Sequence, residues 1–179
     1  SSGPIGRVCT TWKISFFINK ITEGIGDFSS GTKIEPMESP IGKLGVFICY
    51  EAIFPDLVRR FVKGGALFLV NITNDAWFGK TSAPYQHLSM VTFRAIENRV
   101  SIIRAANTGI SSIIDETGKI QSTTDIFARD ILIGEIPLMK NPSFYTLYGD
   151  IFAQICLGIT ILMILREVVK SVKRYSRKV

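Results

Sequence analysis

A run of 22 residues near the end of the chain most constrains what this sequence can fold into. Residues 144–165 contain only two strongly polar side chains, Asp150 and Gln154. As a helix the run would be about 33 Å long, enough to cross a bilayer hydrocarbon core of about 30 Å. A buried core helix is the alternative. Because a cationic segment follows directly, the sequence favours a transmembrane helix over 144–165.

The basic segment indicates the orientation of that helix. Residues 166–179 hold six basic residues and one acidic residue, so they carry +5 of the net charge of +6. The rest of the chain is therefore nearly neutral, which argues against a nucleic-acid-binding surface. The positive-inside rule places residues 166–179 in the cytoplasm and the residues before the helix on the other side of the membrane.

Cysteine usage identifies one thiol of interest. The chain has three cysteines and one histidine, too few and too dispersed for a closed zinc site. Cys156 lies in the apolar run and Cys9 lies in an atypical leader, residues 1–13, so Cys49 is expected to be unpaired. A free thiol is a poor structural choice outside the cytoplasm. The sequence predicts no metal and no other cofactor.

The body of the chain alternates short apolar runs with helical patterns. Strands are predicted over residues 44–48, 66–72, 100–106, 110–115 and 131–136. The first three are continuously apolar, as in sheets that are covered on both faces. Helices are predicted over residues 55–62 and from residue 81 or 82 to residue 98. This order of elements indicates an α/β layered fold.

Two details of this pattern can be tested directly. The segment Asp115–Gly118 is predicted as a turn between two of the strands. On the second helix, the apolar side is predicted to consist of Tyr85, Leu88, Met90, Phe93 and Ile96. The residues expected on or near the other side are Arg94, Glu97, Asn98 and Arg99.

The first strand ends in a cysteine. Gly45-Val-Phe-Ile-Cys49 is followed by Tyr50-Glu51 and then by a helix. A thiol at a strand-to-helix turn is exposed at the sheet edge, where backbone N–H groups can stabilise a thiolate and an oxyanion. A buried structural cysteine at a strand end is the commoner case, so this spacing alone leaves both interpretations open.

Further segments give this cysteine a context. They are Ile48-Cys-Tyr-Glu51, Asn74-Asp-Ala-Trp-Phe-Gly79, Gln86-His87, Arg94-Ala-Ile-Glu97 and Arg104-Ala-Ala-Asn-Thr-Gly109. From about Trp12 onward the chain resembles the carbon–nitrogen hydrolase (nitrilase) superfamily. More narrowly, it resembles the membrane-embedded branch of apolipoprotein N-acyltransferases, because a soluble nitrilase would lack the final apolar run.

The resemblance implies a fold, a reaction and a location. The fold is an α-β-β-α sandwich outside the membrane, here partial and followed by one transmembrane helix. A Glu–Lys–Cys triad takes an acyl chain from a phospholipid as a thioester and passes it to the diacylglyceryl-cysteine at a lipoprotein N-terminus. The location is the bacterial inner (plasma) membrane, with the catalytic portion periplasmic and the tail cytoplasmic. The implied partners are phospholipid, lipoprotein and membrane, and no nucleic acid.

The resemblance also assigns roles to residues. Cys49 matches the nucleophile, and Glu51 with Tyr50 supports the site. Asn74, Trp77 and Phe78 fall in a loop at the substrate entrance. Purely structural roles remain as alternatives. Glu51 would then be a solvated acid at a helix start, Trp77 would pack in the core, and Asn74 and Asp75 would be ordinary turn residues. His87 is expected to be a satisfied structural histidine, and Arg94, Glu97 and Arg104 an internal ion-pair network.

The sequence departs from the family pattern before Cys49. The family's general-base Glu and its Lys lie in upstream segments, and Lys13, Lys20, Lys33 and Lys43 do not stand in the matching context. We therefore expect these 179 residues alone to be inactive. Residues 1–13 are atypical, and we hypothesise a local frameshift, because Arg7–Thr11 is what a one-base shift makes of a family-like Glu-Tyr-Val-Pro-Leu.

The predicted organisation is a leader over 1–13, the C-terminal part of a nitrilase-like catalytic domain over 14–141, a transmembrane helix over 144–165 and a tail over 166–179. Two other functions remain open. One is a membrane-anchored nitrilase or amidase that acts on a small amide. The other is a non-catalytic truncated module. A thiol protease with a Cys49–His87 pair has no surrounding pattern to support it.

Overall fold

A mixed five-stranded sheet forms the centre of the computed structural model, which describes residue 31 and residues 33–176. The strands follow one another in the order in which they occur along the chain. They are β1 (Leu44–Ile48), β2 (Phe68–Asn74), β3 (Ile102–Asn107), β4 (Ser112–Ile114) and β5 (Ile120–Thr123). The α-helices are α1 (Pro55–Lys63), α2 (Ala83–Asn98), α3 (Phe144–Tyr148) and α4 (Ile151–Ser176).

The first three strands are parallel and the last two are antiparallel. In the parallel part, Ile48 pairs with Ile72, and Asn74 pairs with Asn107. The carboxyl ends of β1, β2 and β3 therefore lie along one edge of the sheet. In parallel α/β sheets this is the edge at which functional side chains collect.

One face of the sheet is covered by α1 and α2. Phe47, Leu69 and Ile102 are fully buried in one cluster with Val58 of α1 and Val91 of α2. On the opposite face Ile48 and Ile72 are 44% and 42% exposed. Two covered faces were predicted. On this second face Ile113 of β4 is buried beside Gly134, so the face is covered at β4 and open at the ends of β1 and β2.

The strand predictions hold for the first four strands and are wrong for the fifth. β1 has the predicted bounds, and β2, β3 and β4 overlap the predicted runs. Residues 131–136 form no strand, and the partner of β4 is instead Ile120–Thr123. The Asp115–Gly118 turn is confirmed: the Gly118 N–H donates to the Asp115 carbonyl at 2.9 Å, and Gly118 has φ +82°.

The predicted apolar side of α2 is right for Leu88, which is buried, and wrong for its four other members. Tyr85, Phe93 and Ile96 are 58%, 58% and 46% exposed. The buried side consists of Pro84, His87, Leu88, Val91, Arg94, Ala95 and Asn98. Polar side chains therefore occupy positions that face the sheet, and hydrogen bonds and ion pairs replace apolar contacts there.

The apolar run near the C-terminus does not form one continuous helix. The Ser143 hydroxyl caps α3 by accepting from the Thr146 N–H at 2.9 Å, and Gly149, with φ +65°, ends it. A second helix, α4, then runs from Ile151 to Ser176 and extends into the basic segment. In the described chain α4 is the one helix that is long and apolar enough to cross a membrane.

The predicted leader over 1–13 and the hypothesised frameshift lie outside the described residues. The domain boundaries at 141, 144 and 165 remain predictions. In the structure α3 begins at Phe144, whereas the long helix begins seven residues later, at Ile151.

Candidate active site

Cys49 stands at the point where the chain leaves the sheet. It follows the last residue of β1 and begins a short 3-10 helix, Cys49–Ile53. Its φ of +49° lies in the left-handed region, which non-glycine residues rarely adopt. Such a conformation costs on the order of 1–3 kcal/mol and persists only where the surroundings hold it. Cys49 is partly exposed and is a free thiol.

The Glu51 side chain forms a hydrogen bond across the turn that carries Cys49. Its carboxylate Oε2 accepts a hydrogen bond from the Ile48 N–H at 2.7 Å. Burial raises the pKa of Glu51 above its ordinary value, and the hydrogen bond from Ile48 opposes that rise. Glu51 is thus part of the backbone turn that presents Cys49 and is only partly in contact with solvent.

A buried polar network lies behind the turn. We call it the Cys49 network. It runs from the Phe47 carbonyl to the Cys49 carbonyl through Asn71, Arg104, Asp75 and His87. The Asn71 amide donates to the Phe47 carbonyl at 3.2 Å, and the Arg104 guanidinium donates to the Asn71 carbonyl oxygen. β2, β3 and α2 each contribute side chains to it.

The charged part of the network is an ion pair. The Arg104 guanidinium donates to Asp75 Oδ2 at 2.7 Å, and neither side chain has any exposed surface. Burial lowers the pKa of Arg104, and the Asp75 carboxylate opposes that change. Asp75 Oδ1 also accepts from the Thr73 hydroxyl at 2.9 Å. The carboxylate therefore has the several partners that a buried charge needs.

His87 connects this pair to the cysteine. Its Nδ1 lies 3.1 Å from Asp75 Oδ1 and 3.2 Å from the Arg104 guanidinium. Its Nε2 lies 3.1 Å from the Cys49 carbonyl oxygen. Because a carbonyl oxygen can only accept, Nε2 must carry a proton in this arrangement. The expectation of a satisfied, buried histidine agrees with this geometry.

Gly109 allows the ion pair to lie where it does. A β-carbon placed on Gly109 would lie 2.6 Å from Asp75 Oδ2 and 2.8 Å from the Asp75 β-carbon. These distances are shorter than real side-chain contacts. The Gly in Arg104-Ala-Ala-Asn-Thr-Gly109 is therefore required by close approach to Asp75.

The predicted entrance loop lies at the same edge of the sheet. Asn74 Oδ1 accepts from the Ala76 N–H at 3.2 Å, and the Trp77 indole donates to the Asn74 carbonyl at 2.8 Å. The Trp77 side chain is nevertheless 79% exposed, so the core-packing alternative is wrong. Phe78 of this loop and Tyr50 of the short helix after β1 lie near His87, with ring centres 6.4 and 6.2 Å from that of His87.

Sequence reasoning did not predict the contact between two residues at this edge. Asp75 was expected to be a turn residue, and Arg104 was grouped with Arg94 and Glu97. In the structure Arg94 pairs with Glu97 at 2.9 Å, and Arg104 pairs with Asp75 in a separate network. A signal existed: an arginine inside a continuously apolar strand needs a buried anionic partner. The partner could not be chosen without the sheet register.

The described residues contain no group of three or more His, Cys, Asp or Glu side chains that could hold a metal ion. A cavity of about 720 Å³ lies beside the end of β3 and includes Asn107, Thr108 and Phe127 among its lining residues. Cys49 does not line it, so the cavity is not counted as part of the candidate site.

The fold and site together define an α/β protein with a cysteine on a strained strand-to-helix turn at the carboxyl edge of parallel strands. The family model for carbon-nitrogen hydrolases matches residues 11–140, and the chain belongs to that family. The crystal structure of a carbon-nitrogen hydrolase from Helicobacter pylori superposes with a TM-score of 0.51 at 18% identity. The match covers 57% of this chain and 43% of that one. This likeness identifies the fold as nitrilase-like.

Curated relatives narrow the family. The chain is 51% identical over 155 residues to the apolipoprotein N-acyltransferase of Geobacter metallireducens. This match covers 87% of this chain and 30% of the relative. It is 38% identical over 129 residues to the enzyme of the same name from Chlorobaculum tepidum, covering 72% of this chain and 24% of the relative. The chain therefore spans less than a third of the length of these two relatives.

Proposed function

We propose that this chain carries the nucleophile of an N-acyltransferase that moves an acyl chain from a phospholipid to the N-terminal diacylglyceryl-cysteine of a lipoprotein. The observation that carries the proposal is Cys49, held with φ +49° between β1 and a short helix. Membership of the carbon-nitrogen hydrolase family and similarity to proteins named apolipoprotein N-acyltransferase support it.

The reaction has two acyl-transfer steps. The Cys49 thiolate attacks the ester carbonyl of the phospholipid, a carbon–sulfur bond forms, and the ester carbon–oxygen bond breaks. The departing alkoxide takes a proton and leaves as a lysophospholipid. The lipoprotein amine then attacks the thioester, loses a proton and forms an amide, which regenerates the thiolate. Splitting one difficult transfer into two easier ones is the advantage of a covalent intermediate.

The neighbouring residues have supporting roles in this proposal. Glu51 holds the turn by accepting from the Ile48 N–H, and Tyr50 lies in the same turn, directly after Cys49. The loop with Asn74, Trp77 and Phe78 lies at the substrate entrance. Trp77 suits this role because its side chain is exposed while its indole N–H is held by the Asn74 carbonyl. An exposed but oriented tryptophan can contact a lipid chain or headgroup.

A membrane location follows from the same proposal. α4 contains a stretch that is long and apolar enough to cross a membrane. Its residues 151–165 are largely apolar and exposed, and its last turns, residues 166–176, belong to the basic tail. A helix that is apolar and exposed all round is suited to lipid. We place α4 across the bacterial inner membrane, with the basic tail in the cytoplasm and the catalytic portion in the periplasm.

The thiol also needs a base. In the described part of the chain no side-chain base forms a hydrogen bond with the Cys49 sulfur. The family resemblance assigns the general-base Glu and a Lys to sequence upstream of the cysteine. We therefore propose that these 179 residues have no turnover by themselves, since members of such a unit act together.

The test uses the full-length product of the gene that encodes this chain, in phospholipid vesicles. A peptide with an N-terminal diacylglyceryl-cysteine is added, and N-acylated peptide is detected by mass spectrometry. We expect product with the wild type and none with Cys49→Ser, while Cys156→Ser behaves as the wild type. Ammonia release from a small amide without lipid-dependent product would instead support the amidase. Folded protein without either product would support a non-catalytic module.

A further inference from the structure

Two backbone carbonyl groups at the Cys49 turn accept hydrogen bonds from buried side chains. The Cys49 network begins at the carbonyl of Phe47 and ends at the carbonyl of Cys49. These two residues lie on either side of Ile48, the last residue of β1. Hydrogen bonds at both positions restrict the backbone dihedrals between them, which include the positive φ of Cys49.

The hydrogen bond at Cys49 comes from a single side chain. His87 Nε2 lies 3.1 Å from the Cys49 carbonyl oxygen, and the His87 side chain is 3% exposed. Asp75 and Arg104 contact the opposite nitrogen, Nδ1, so they fix the orientation of the ring. Tyr50 and Phe78 flank the same ring. Both ring nitrogens therefore have polar partners, and the partner at Nε2 is the backbone of Cys49 itself.

We propose that His87 is a positioning residue for the nucleophile: its Nε2–H holds the Cys49 carbonyl and keeps the cysteine in the left-handed conformation. Asp75 and Arg104 act through His87 by holding its ring. No proton is transferred to or from the substrate by this network. The proposal rests on the proposed function only in taking Cys49 as the reactive thiol.

Two amide variants separate positioning from packing. In His87→Gln the amide nitrogen can reach the place of Nε2, so the donor to Cys49 is retained. In His87→Asn the shorter side chain can place its amide only near Nδ1, so the contact with Asp75 is retained and the one with Cys49 is lost. Both variants leave a smaller, polar side chain in the same cavity, which makes them matched. Gln86→Asn, on an exposed neighbour, is the control.

The primary measurement is the rate of alkylation of Cys49 by iodoacetamide, followed by mass spectrometry of the Cys49 peptide in the full-length gene product. We expect His87→Asn to slow it about tenfold, the effect of one buried hydrogen bond to a carbonyl, because a released turn moves the sulfur. His87→Gln should stay within about threefold of the wild type and Gln86→Asn should match it. Equal rates for His87→Asn and His87→Gln, in proteins with native unfolding midpoints, would overturn the proposal.

A milder variant covers the case in which His87→Asn does not fold. Thr73→Val keeps the side-chain shape and removes the 2.9 Å hydrogen bond to Asp75. It should slow alkylation about threefold, and an unchanged rate would count against the proposal. Alkylation needs no lipid. A His87-dependent alkylation rate in a protein that never acylates a lipopeptide would therefore reject the acyltransferase function and keep the role of His87.

Discussion

The two free cysteines of the described chain lie in opposite surroundings. Cys49 has a left-handed backbone and a buried polar network behind it. Cys156 lies in α4, where its side chain is exposed and its carbonyl accepts a hydrogen bond from the Thr160 hydroxyl at 2.8 Å. The surroundings of Cys49 thus combine a strained backbone with buried charges, whereas the surroundings of Cys156 are a regular helix with neither.

The comparison shows why Cys49, and not Cys156, is the candidate nucleophile. A thiol becomes a candidate nucleophile through the elements that hold it, and three elements contribute side chains behind Cys49. In the proposed function α4 is the membrane anchor, because exposed apolar side chains all round a helix suit contact with lipid. Substitutions behind Cys49 should therefore be costly, and chemically similar substitutions in α4 should be tolerated.

The largest difference in stability between the Cys49 network and α4 is expected when an ion pair is removed from each. Arg104→Leu leaves Asp75 buried without its cationic partner, which should reduce the free energy of unfolding by about 3–5 kcal/mol. Lys170→Ala breaks the 2.6 Å pair with Glu167 in α4, which is solvent-exposed and should contribute only about 0.3 kcal/mol. Denaturant unfolding of both variants measures the difference. Similar losses would contradict the contrast between the two regions.

Glycine substitutions should give a smaller difference. Gly109→Ala forces its new β-carbon against Asp75 at 2.6 Å, so the backbone must shift at a cost of about 1–3 kcal/mol. Gly158→Ala, in α4, meets nothing within 4 Å and should be tolerated, because alanine is the better helix former. Thermal unfolding midpoints of the two variants provide the test, and a lower midpoint for Gly158→Ala would be unexpected.

The junction between the regions can be tested with two threonines. The Thr146 hydroxyl donates to Asn98 Oδ1 at 2.9 Å, and both residues are fully buried. Thr146→Val should destabilise the protein by about 1–2 kcal/mol, because Asn98 loses a partner. Thr160→Val removes a hydroxyl that is already exposed in α4, and we expect a change below about 0.5 kcal/mol. Equal effects would mean that α3 is not firmly attached to α2.

The smallest expected effect is a pH dependence at the turn itself. Because burial raises the pKa of Glu51, its contribution to stability is present at low pH and is lost as the pH rises through the folded-state pKa. Glu51→Gln keeps an acceptor for the Ile48 N–H and removes this loss. The stability of the variant relative to the wild type should therefore rise as the pH increases above about 4.5, the ordinary pKa of a glutamate.

Asp56, a few residues further on, is a control, because its contribution to stability should change with pH in the opposite direction. Hydrogen bonding from Arg59 lowers the pKa of Asp56, so its contribution is present at neutral pH and is lost in acid. Asp56→Asn should lower the relative stability at neutral pH and have less effect in acid. Unfolding midpoints across the pH range check both variants, and the same sign for both would contradict the account of the turn.

Local patterns predicted the elements that local chemistry determines. β1 was predicted from Leu44 to Ile48 because a continuous apolar run is bounded there by Lys43 and Cys49. The helix that begins with Pro55 was also predicted within a residue of its end. The strand at 131–136 failed although its composition is equally β-rich. Ile131 and Ile133 are 83% and 90% exposed, so strand pairing there is decided by a partner and not by propensity.

The candidate site was only partly predictable for the same reason. Cys49, Glu51 and the loop at Trp77 follow from motifs and lie at one sheet edge as expected. The grouping of Asp75, His87 and Arg104 depends on the register of β2 with β3 and on which side of α2 is buried. The spacing of apolar residues placed Tyr85 and Phe93 inside, because no local pattern indicates that a histidine and an arginine occupy the buried side.

The most direct test of the central claim is to find which cysteine carries an acyl group. The full-length gene product is incubated with phospholipid vesicles in the absence of an acceptor, digested and mapped by mass spectrometry before and after hydroxylamine. We predict a hydroxylamine-sensitive acyl group on Cys49, which disappears in Cys49→Ser and persists in Cys156→Ser. A folded protein that carries no acyl group on Cys49, or carries one on Cys156 alone, would contradict the account.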